Sequence, residues 1–324
     1  MTIHSHLDAL YGLPAHVFPG PGERTDGLPD PESVAWRITN DPYHRDESWR
    51  AAFDRFRAAV DTTRVRALIV GAWEGASDGS PSEILKELIE AHDRFPALRA
   101  LFFGDLVMEE SEISWIRQGD VTPLLTAYPG LEEFGVRGGS GLEFPAVSHG
   151  SLRKLVVQTG GLPAAVVRGI GGSDLPALEH LDLWLGTPEY GGDSEVTDLE
   201  PFLTGARLPR LRHLALRNSE IQDDIAVAVA SAPVVARLEV LDLSMGILTD
   251  EGAVALLGGQ PLTHLKKLDL HYHYMTDELV ERIRQTVEAA GVEVDLHDGG
   301  AEEEEDEDDD DEDGTVWRYV AVSE

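Results

Sequence analysis

The chain has 324 residues, 60 of them acidic and 26 basic, for a net charge of 26 − 60 = −34. That charge repels phosphate backbones and anionic lipid surfaces, which excludes nucleic acid and membranes as general partners. The absence of cysteine removes disulfides, thiolate metal sites and cysteine nucleophiles.

Hydrophobic residues make up 42%, enough for a substantial core. No apolar run approaches the ~20 residues of a membrane span. Met1–Leu10 has neither a basic n-region nor an apolar h-region, so no signal peptide is expected and the expected location is cytoplasmic. Four lysines against 22 arginines suit a GC-rich bacterial genome.

Residues 1–45 are rich in Pro, Gly and polar groups, and Pro19–Gly22 and Leu28–Pro31 read as turns. Val34–Ile38 reads as one short strand. Trp49, Phe53, Phe56 and Val60 recur at helical spacing, which predicts an amphipathic helix over Glu47–Val60. The segment 1–60 is therefore expected to end in a helix that caps whatever repeats follow.

Repeats do follow. Leu211-Arg-His-Leu-Ala-Leu216, Leu238-Glu-Val-Leu-Asp-Leu243 and Leu265-Lys-Lys-Leu-Asp-Leu270 share the pattern LxxLxL at intervals of 27 residues. Upstream the same frame begins at Val65, Leu98, Leu131, Leu152 and Leu178, with intervals of 33, 33, 21, 26 and 33 residues to Leu211. An apolar residue follows at the eleventh position of the three regular units: Ile221, Leu248 and Met275. A helical stretch comes next, with Thr249 and Thr276 as natural N-caps. Proline precedes the first leucine by two residues at Pro96, Pro129, Pro176 and Pro209, where it ends the preceding helix. Val292–Leu296 reads as the last strand.

These units resemble the leucine-rich-repeat family, in particular its long-repeat, ribonuclease-inhibitor-like type, over residues 61–298. The resemblance implies an α/β solenoid with a curved parallel sheet on the concave side and helices on the convex side. The family's ninth-position Asn is replaced here by Gly160, Gly186, Ser219, Gly246 and His273. The chain also resembles a group of bacterial leucine-rich-repeat proteins of undefined function, through Arg318–Glu324 and a Gly-Leu-Pro segment near the start. That likeness implies no activity.

Beyond the repeats, Glu302–Asp313 is an unbroken run of 12 acids, read within a flexible linker over 299–314. The apolar, β-prone segment after it, 315–324, is expected to dock. Sixteen linker residues span roughly 50 Å when extended, enough to return to the N-terminal region beside Val34–Ile38. Pairing with a second chain is the alternative, and a monomer is favoured.

Alternation along each strand turns the residues between the leucines toward solvent. The C-terminal half of that face is polar. Arg137, His180, Trp184, His213 and Arg217 are the candidates for partner contact, since Trp and Arg are enriched in binding hot spots. Alternatively, the loop Gly186–Gly192, with Tyr190, folds over Trp184. Asp269, His271, Asp295 and His297 form a two-by-two patch on neighbouring strands, a donor set suited to a divalent metal. The plain alternative is a polar exposed face in which Lys267 offsets the carboxylates. No GxSxG, HExxH or Walker motif is present, so no enzymatic activity and no cofactor are expected. The expected role is a binding or scaffold module for a protein partner, basic in charge, with a metal-binding accessory role as the alternative.

Overall fold

A computed structural model describes residues 3–40, 47–299 and 317–324. The acidic run 302–313 lies outside the described residues.

The repeat units become strands of one parallel sheet. They are β4 (Ala67–Val70), β5 (Ala100–Phe103), β6 (Glu133–Arg137), β7 (Lys154–Gln158), β8 (His180–Gly186), β9 (His213–Ser219), β10 (Val240–Asp242), β11 (Lys267–Asp269) and β12 (Glu293–Asp295). Register places the repeat leucines side by side. Leu68 lies opposite Leu101, then Phe134, Leu155, Leu181, Leu214, Leu241 and Leu268 follow in one row. Every member of that row is fully buried. Each is worth about 1.5–3 kcal/mol of apolar burial. A one-residue slip would turn the whole row outward, so the register is firmly set.

The sheet starts earlier than the leucine pattern predicts. β3 (Ala35–Ile38) pairs in parallel with β4, bringing Trp36 against Leu68 and Ile38 against Val70. β2 (Leu13–Val17) pairs with β3, and β1 (Ala9–Leu10) closes the edge as an antiparallel hairpin. Helix α1 (Trp49–Ala59) is thus the helix of a full upstream coil rather than a separate cap. Ser48 accepts the Ala51 N–H, Trp49 Nε1 donates to the Ile38 carbonyl at 3.0 Å, and Phe53 and Phe56 stack on Phe95.

The other helices, α2 (Ser82–Glu90), α3 (Thr122–Ala127), α4 (Ala164–Gly172), α5 (Glu200–Thr204), α6 (Gln222–Val229), α7 (Asp250–Gly258) and α8 (Asp277–Thr286), each follow a strand. Packed helices need 8–10 Å between axes and paired strands about 4.8 Å, so the stack curves with the sheet on its inner side.

With no asparagine at the ninth position, the turn is built differently. The eighth residue adopts a left-handed conformation at Gly138, Asn218, Met245, Tyr272 and Asp298. Coil-to-coil bonding falls to an Asp–Thr ladder at the helix starts. Asp223 accepts the Thr249 N–H at 2.8 Å, its hydroxyl at 2.6 Å and the Gly252 N–H at 3.1 Å. Asp250 accepts the Thr276 N–H at 2.8 Å and its hydroxyl at 3.0 Å. Thr249 also caps its own helix by accepting the Glu251 N–H, as expected. Thr276 occupies the N-cap position of its helix but its side chain accepts no such bond.

The C-terminal segment docks within the chain, but not beside Val34–Ile38, where β2 already occupies the free edge of β3. It crosses the C-terminal ends of the strands instead. Ala321 donates to the Met245 carbonyl at 2.8 Å, and the hydroxyls of Tyr272 and Tyr274 donate to the Tyr319 carbonyl.

Candidate functional site

On the inner face, the apolar N-terminal half is not open to solvent. Leu7, Leu10 and Tyr11 fold across Ala35, Ala67, Ile69, Ala100 and Phe102 as a strap, joined by Leu13 and Ala15 from β2. Asp105, fully buried after β5, pins that strap. It accepts the Leu7 N–H at 3.2 Å and is flanked by two guanidiniums, Arg37 and, at 3.2 Å, Arg137. Arg37 also donates to the Leu7 carbonyl at 2.8 Å.

Arg137 is therefore internal rather than a surface contact, with only 3% of it exposed. Its remaining donors go to Gln158 Oε1 at 2.9 Å and the Leu106 carbonyl at 2.5 Å. Burial pushes its pKa down and Asp105 opposes that shift. Sequence reasoning missed Asp105, which sits after β5 at the eighth position of its unit, where the other units carry no acid in common.

The other four candidate contacts come together on β8 and β9. Arg217 holds Asp182 in a bidentate pair at 3.0 and 2.7 Å and reaches Asp242 at 3.4 Å. Its guanidinium stands 5.1 Å from the Trp184 ring centroid. Burial works against the Asp182 carboxylate, but the Arg217 charge outweighs it and holds the group below its ordinary range. Asp242, with weaker access to the same charge, is pushed up by burial. The rings of His180 and His213 stack at 3.7 Å. Burial drives both imidazoles down, His180 to about 3 and His213 to about 4, so both are neutral at pH 7.

Trp184 is 7% exposed. Its cover is the C-terminal segment rather than the 186–192 loop: Trp184 clusters with Ile113, Met245, Ala321 and Val322. Asn218, missed by the sequence reading, clamps this segment. Its Nδ2 donates to the Val322 carbonyl at 2.6 Å, and its Oδ1 accepts the Val322 N–H at 2.9 Å. The Ser114 hydroxyl donates to the Ser323 carbonyl. The left-handed backbone at Asn218 is a conformation Asn tolerates better than most residues.

At the far end, one ligand atom each from Asp269, His271 and Asp295 fall within 4.8 Å of one another. His297 joins them by stacking on His271 at 4.8 Å. Each histidine Nδ1 bonds the aspartate two residues before it, at 2.6 Å for His271 and 2.5 Å for His297. Lys267 Nζ stands 2.9 Å from Asp269 and 3.8 Å from Asp295. Burial raises the Asp269 pKa, but the His271 and Lys267 bonds overcome this and hold it well below the usual carboxylate range. Asp242, Asp269 and Asp295 each also accept the backbone N–H two residues on, which ends their strands. These aspartates thus have a structural use wherever they recur.

No protein-family model matches the chain, and no curated protein matches it. Nineteen chains of solved structure do. One is a Bacteroides fragilis protein determined as a structural-genomics target, with a TM-score of 0.71 and 29% identity, covering 81% of this chain and 70% of that one. The likeness supports a repeat solenoid. No described helix is long and apolar enough to cross a membrane.

Proposed function

We propose that the chain is a non-enzymatic, cytoplasmic scaffold of the leucine-rich-repeat type that binds a protein partner as an extended segment along the C-terminal rim of its inner face. The observation that carries this reading is the Asn218–Val322 clamp: one side chain satisfies both the N–H and the C=O of a single peptide residue. Backbone bonding of that kind accepts any extended chain, and pockets for alternate side chains supply the selectivity. Here the floor is Trp184 and Met245, which take two small apolar side chains. Arg217, His180 and His213 lie next to it. The net charge of −34 favours a basic partner, steered over long range. In this reading the chain's own tail fills the groove until a partner displaces it, and the protein is a monomer.

The test is a capture experiment from the native host's lysate, read by quantitative mass spectrometry. A chain truncated after residue 314 is compared with the same chain carrying Asn218→Gly, both confirmed folded. A basic protein captured by the first and lost by the second supports the reading. Equal capture by both, or by neither, rejects it.

A second reading, a divalent metal at Asp269, His271, Asp295 and His297, is favoured by the 4.8 Å cluster. Lys267 stands against it, since its ammonium already lies beside both carboxylates. Failure to take up micromolar Zn²⁺ or Mn²⁺ stoichiometrically removes this reading.

A further inference from the structure

Between the strap and the sheet lies a cleft of about 360 Å³, which meets the surface beside the rim groove at His180 and Asp182. Leu7, Leu10 and Tyr11 form one wall, Phe102 and Val156 supply an apolar floor, and Lys154, Gln158 and His180 carry its polar edge. Gly135 keeps the floor open: a Cβ there would lie 2.3 Å from the Phe102 ring. The volume is at the low end of small-molecule sites and holds roughly 15–20 non-hydrogen atoms.

The polar atoms of this cleft divide into two sets. Most of the acceptor atoms are engaged. Both Asp182 oxygens are held by Arg217, Glu133 Oε2 accepts the Tyr11 N–H at 3.3 Å, and Gln158 Oε1 accepts from Arg137. The uncommitted atoms are donors or can serve as donors. Lys154 Nζ has no ion pair among the described residues. His180 Nε2 is buried with no hydrogen-bond partner. Lys154 and His180 are direct register neighbours on β7 and β8, so their Cα atoms lie about 4.8 Å apart. A buried polar atom with no partner is costly, and an unpaired ammonium at the mouth of a cleft with an apolar floor can take an anion. Glu133, the other register neighbour of Lys154, marks the side such an anion avoids.

We propose that this cleft binds a small amphipathic carboxylate, with its carboxylate between Lys154 Nζ and His180 Nε2 and its apolar body against Val156, Phe102 and Leu10. A neutral His180 serves as the second donor through an Nε2–H tautomer. Two positions beyond Val156 on β7, the Gln158 amide offers a donor to any acceptor at the far end of the ligand. The strap is part of the site, so the cleft exists only while Asp105 holds Leu7.

The test uses the full-length protein and three probes in isothermal titration calorimetry: 3-phenylpropionate, its uncharged analogue 3-phenylpropionamide, and inorganic phosphate. The expected result is one site for 3-phenylpropionate, at least tenfold weaker binding of the amide, and no binding of phosphate. Lys154→Met keeps the apolar stem and is expected to weaken 3-phenylpropionate at least tenfold, while Lys154→Arg restores part of the affinity. By NMR, the His180 imidazole should shift on carboxylate binding and titrate at higher pH. Equal affinity for acid and amide, an unaltered affinity in Lys154→Met, or no binding of 3-phenylpropionate at millimolar concentration overturns the proposal. Binding of phosphate as tight as 3-phenylpropionate overturns it as well, since the apolar half of the site would then be idle.

Discussion

Asn218 and Val322, 104 residues apart, are joined by two hydrogen bonds of 2.6 and 2.9 Å that reproduce the pairing of neighbouring strands with a side-chain amide on one side. Asn218→Gly keeps the left-handed backbone available and removes the amide. It is expected to weaken tail docking by about 1–3 kcal/mol. Hydrogen exchange at Ala321 and Val322 should accelerate, and Trp184 fluorescence should shift to the red. Unchanged protection at those two amides would show that the clamp is dispensable.

Asp105 is a carboxylate in contact with both Arg37 and Arg137. Asp105→Asn leaves two buried guanidiniums without their contacting carboxylate, with Glu110 the remaining acid whose charge reaches them. A loss of about 3–5 kcal/mol is expected, as for other buried pairs that lose one partner. Limited proteolysis should then cut within residues 3–17 before the rest of the chain, and calorimetry should show a lowered Tm. A variant as stable as wild type would mean the strap is held by apolar contact alone.

The stacked imidazoles of His180 and His213 set an acid limit. An unfolded chain takes up protons at these groups from about pH 6.5 downward. The folded chain resists until about 4 for His213 and about 3 for His180, chiefly because burial disfavours the charged rings. The unfolded state therefore binds more protons through this window, and stability falls as pH is lowered from about 6.5. The slope is at most about 1.4 kcal/mol per pH unit for each imidazole. Urea unfolding at pH 7 and pH 5 measures it. The double variant His180→Gln/His213→Gln should lose most of this slope, and the same slope in the variant would assign it elsewhere.

The Asp–Thr ladder offers a graded comparison. Asp223 accepts three hydrogen bonds from the next coil and Asp250 two. Asp223→Ala is expected to cost more than Asp250→Ala, with both in the range of about 1–3 kcal/mol. A double-mutant cycle between Asp250 and Thr276 should show coupling of the same sign. Additive losses would mean the pair does not act as a unit.

What the sequence made legible is what repeats. The leucine columns predict β4 to β12 because each unit restates the same inward positions. The upstream coil stayed hidden because Ser33 stands where other units have Leu or Val, and Trp36 where they have Leu or Phe. Of the five residues expected to share one face, His180, Trp184, His213 and Arg217 lie together on β8 and β9, since parity along a strand fixes which face a side chain takes. Parity says nothing about what lies on top of that face. Arg137 has the right parity and is buried all the same. The contacts that cover it, such as Leu7 with Asp105 at a separation of 98 residues, occur once and leave no period to detect. The metal patch was legible as a cluster, but the Lys267 ammonium beside it follows from side-chain direction, which spacing does not specify.

A stack of repeats in which each coil touches only the next can fray from either end, one coil at a time. The tail changes that connectivity. It bonds to Ser114 after β5, Asn218 near the end of β9, Met245 after β10 and Tyr272 and Tyr274 beyond β11, while Ile3 from the opposite end packs against the same cluster. A one-dimensional array is thereby made into a loop of interactions, in which releasing the last coils also strips contacts from the middle. Unfolding of the intact chain should then be a single concerted transition, whereas a chain lacking its tail should melt progressively.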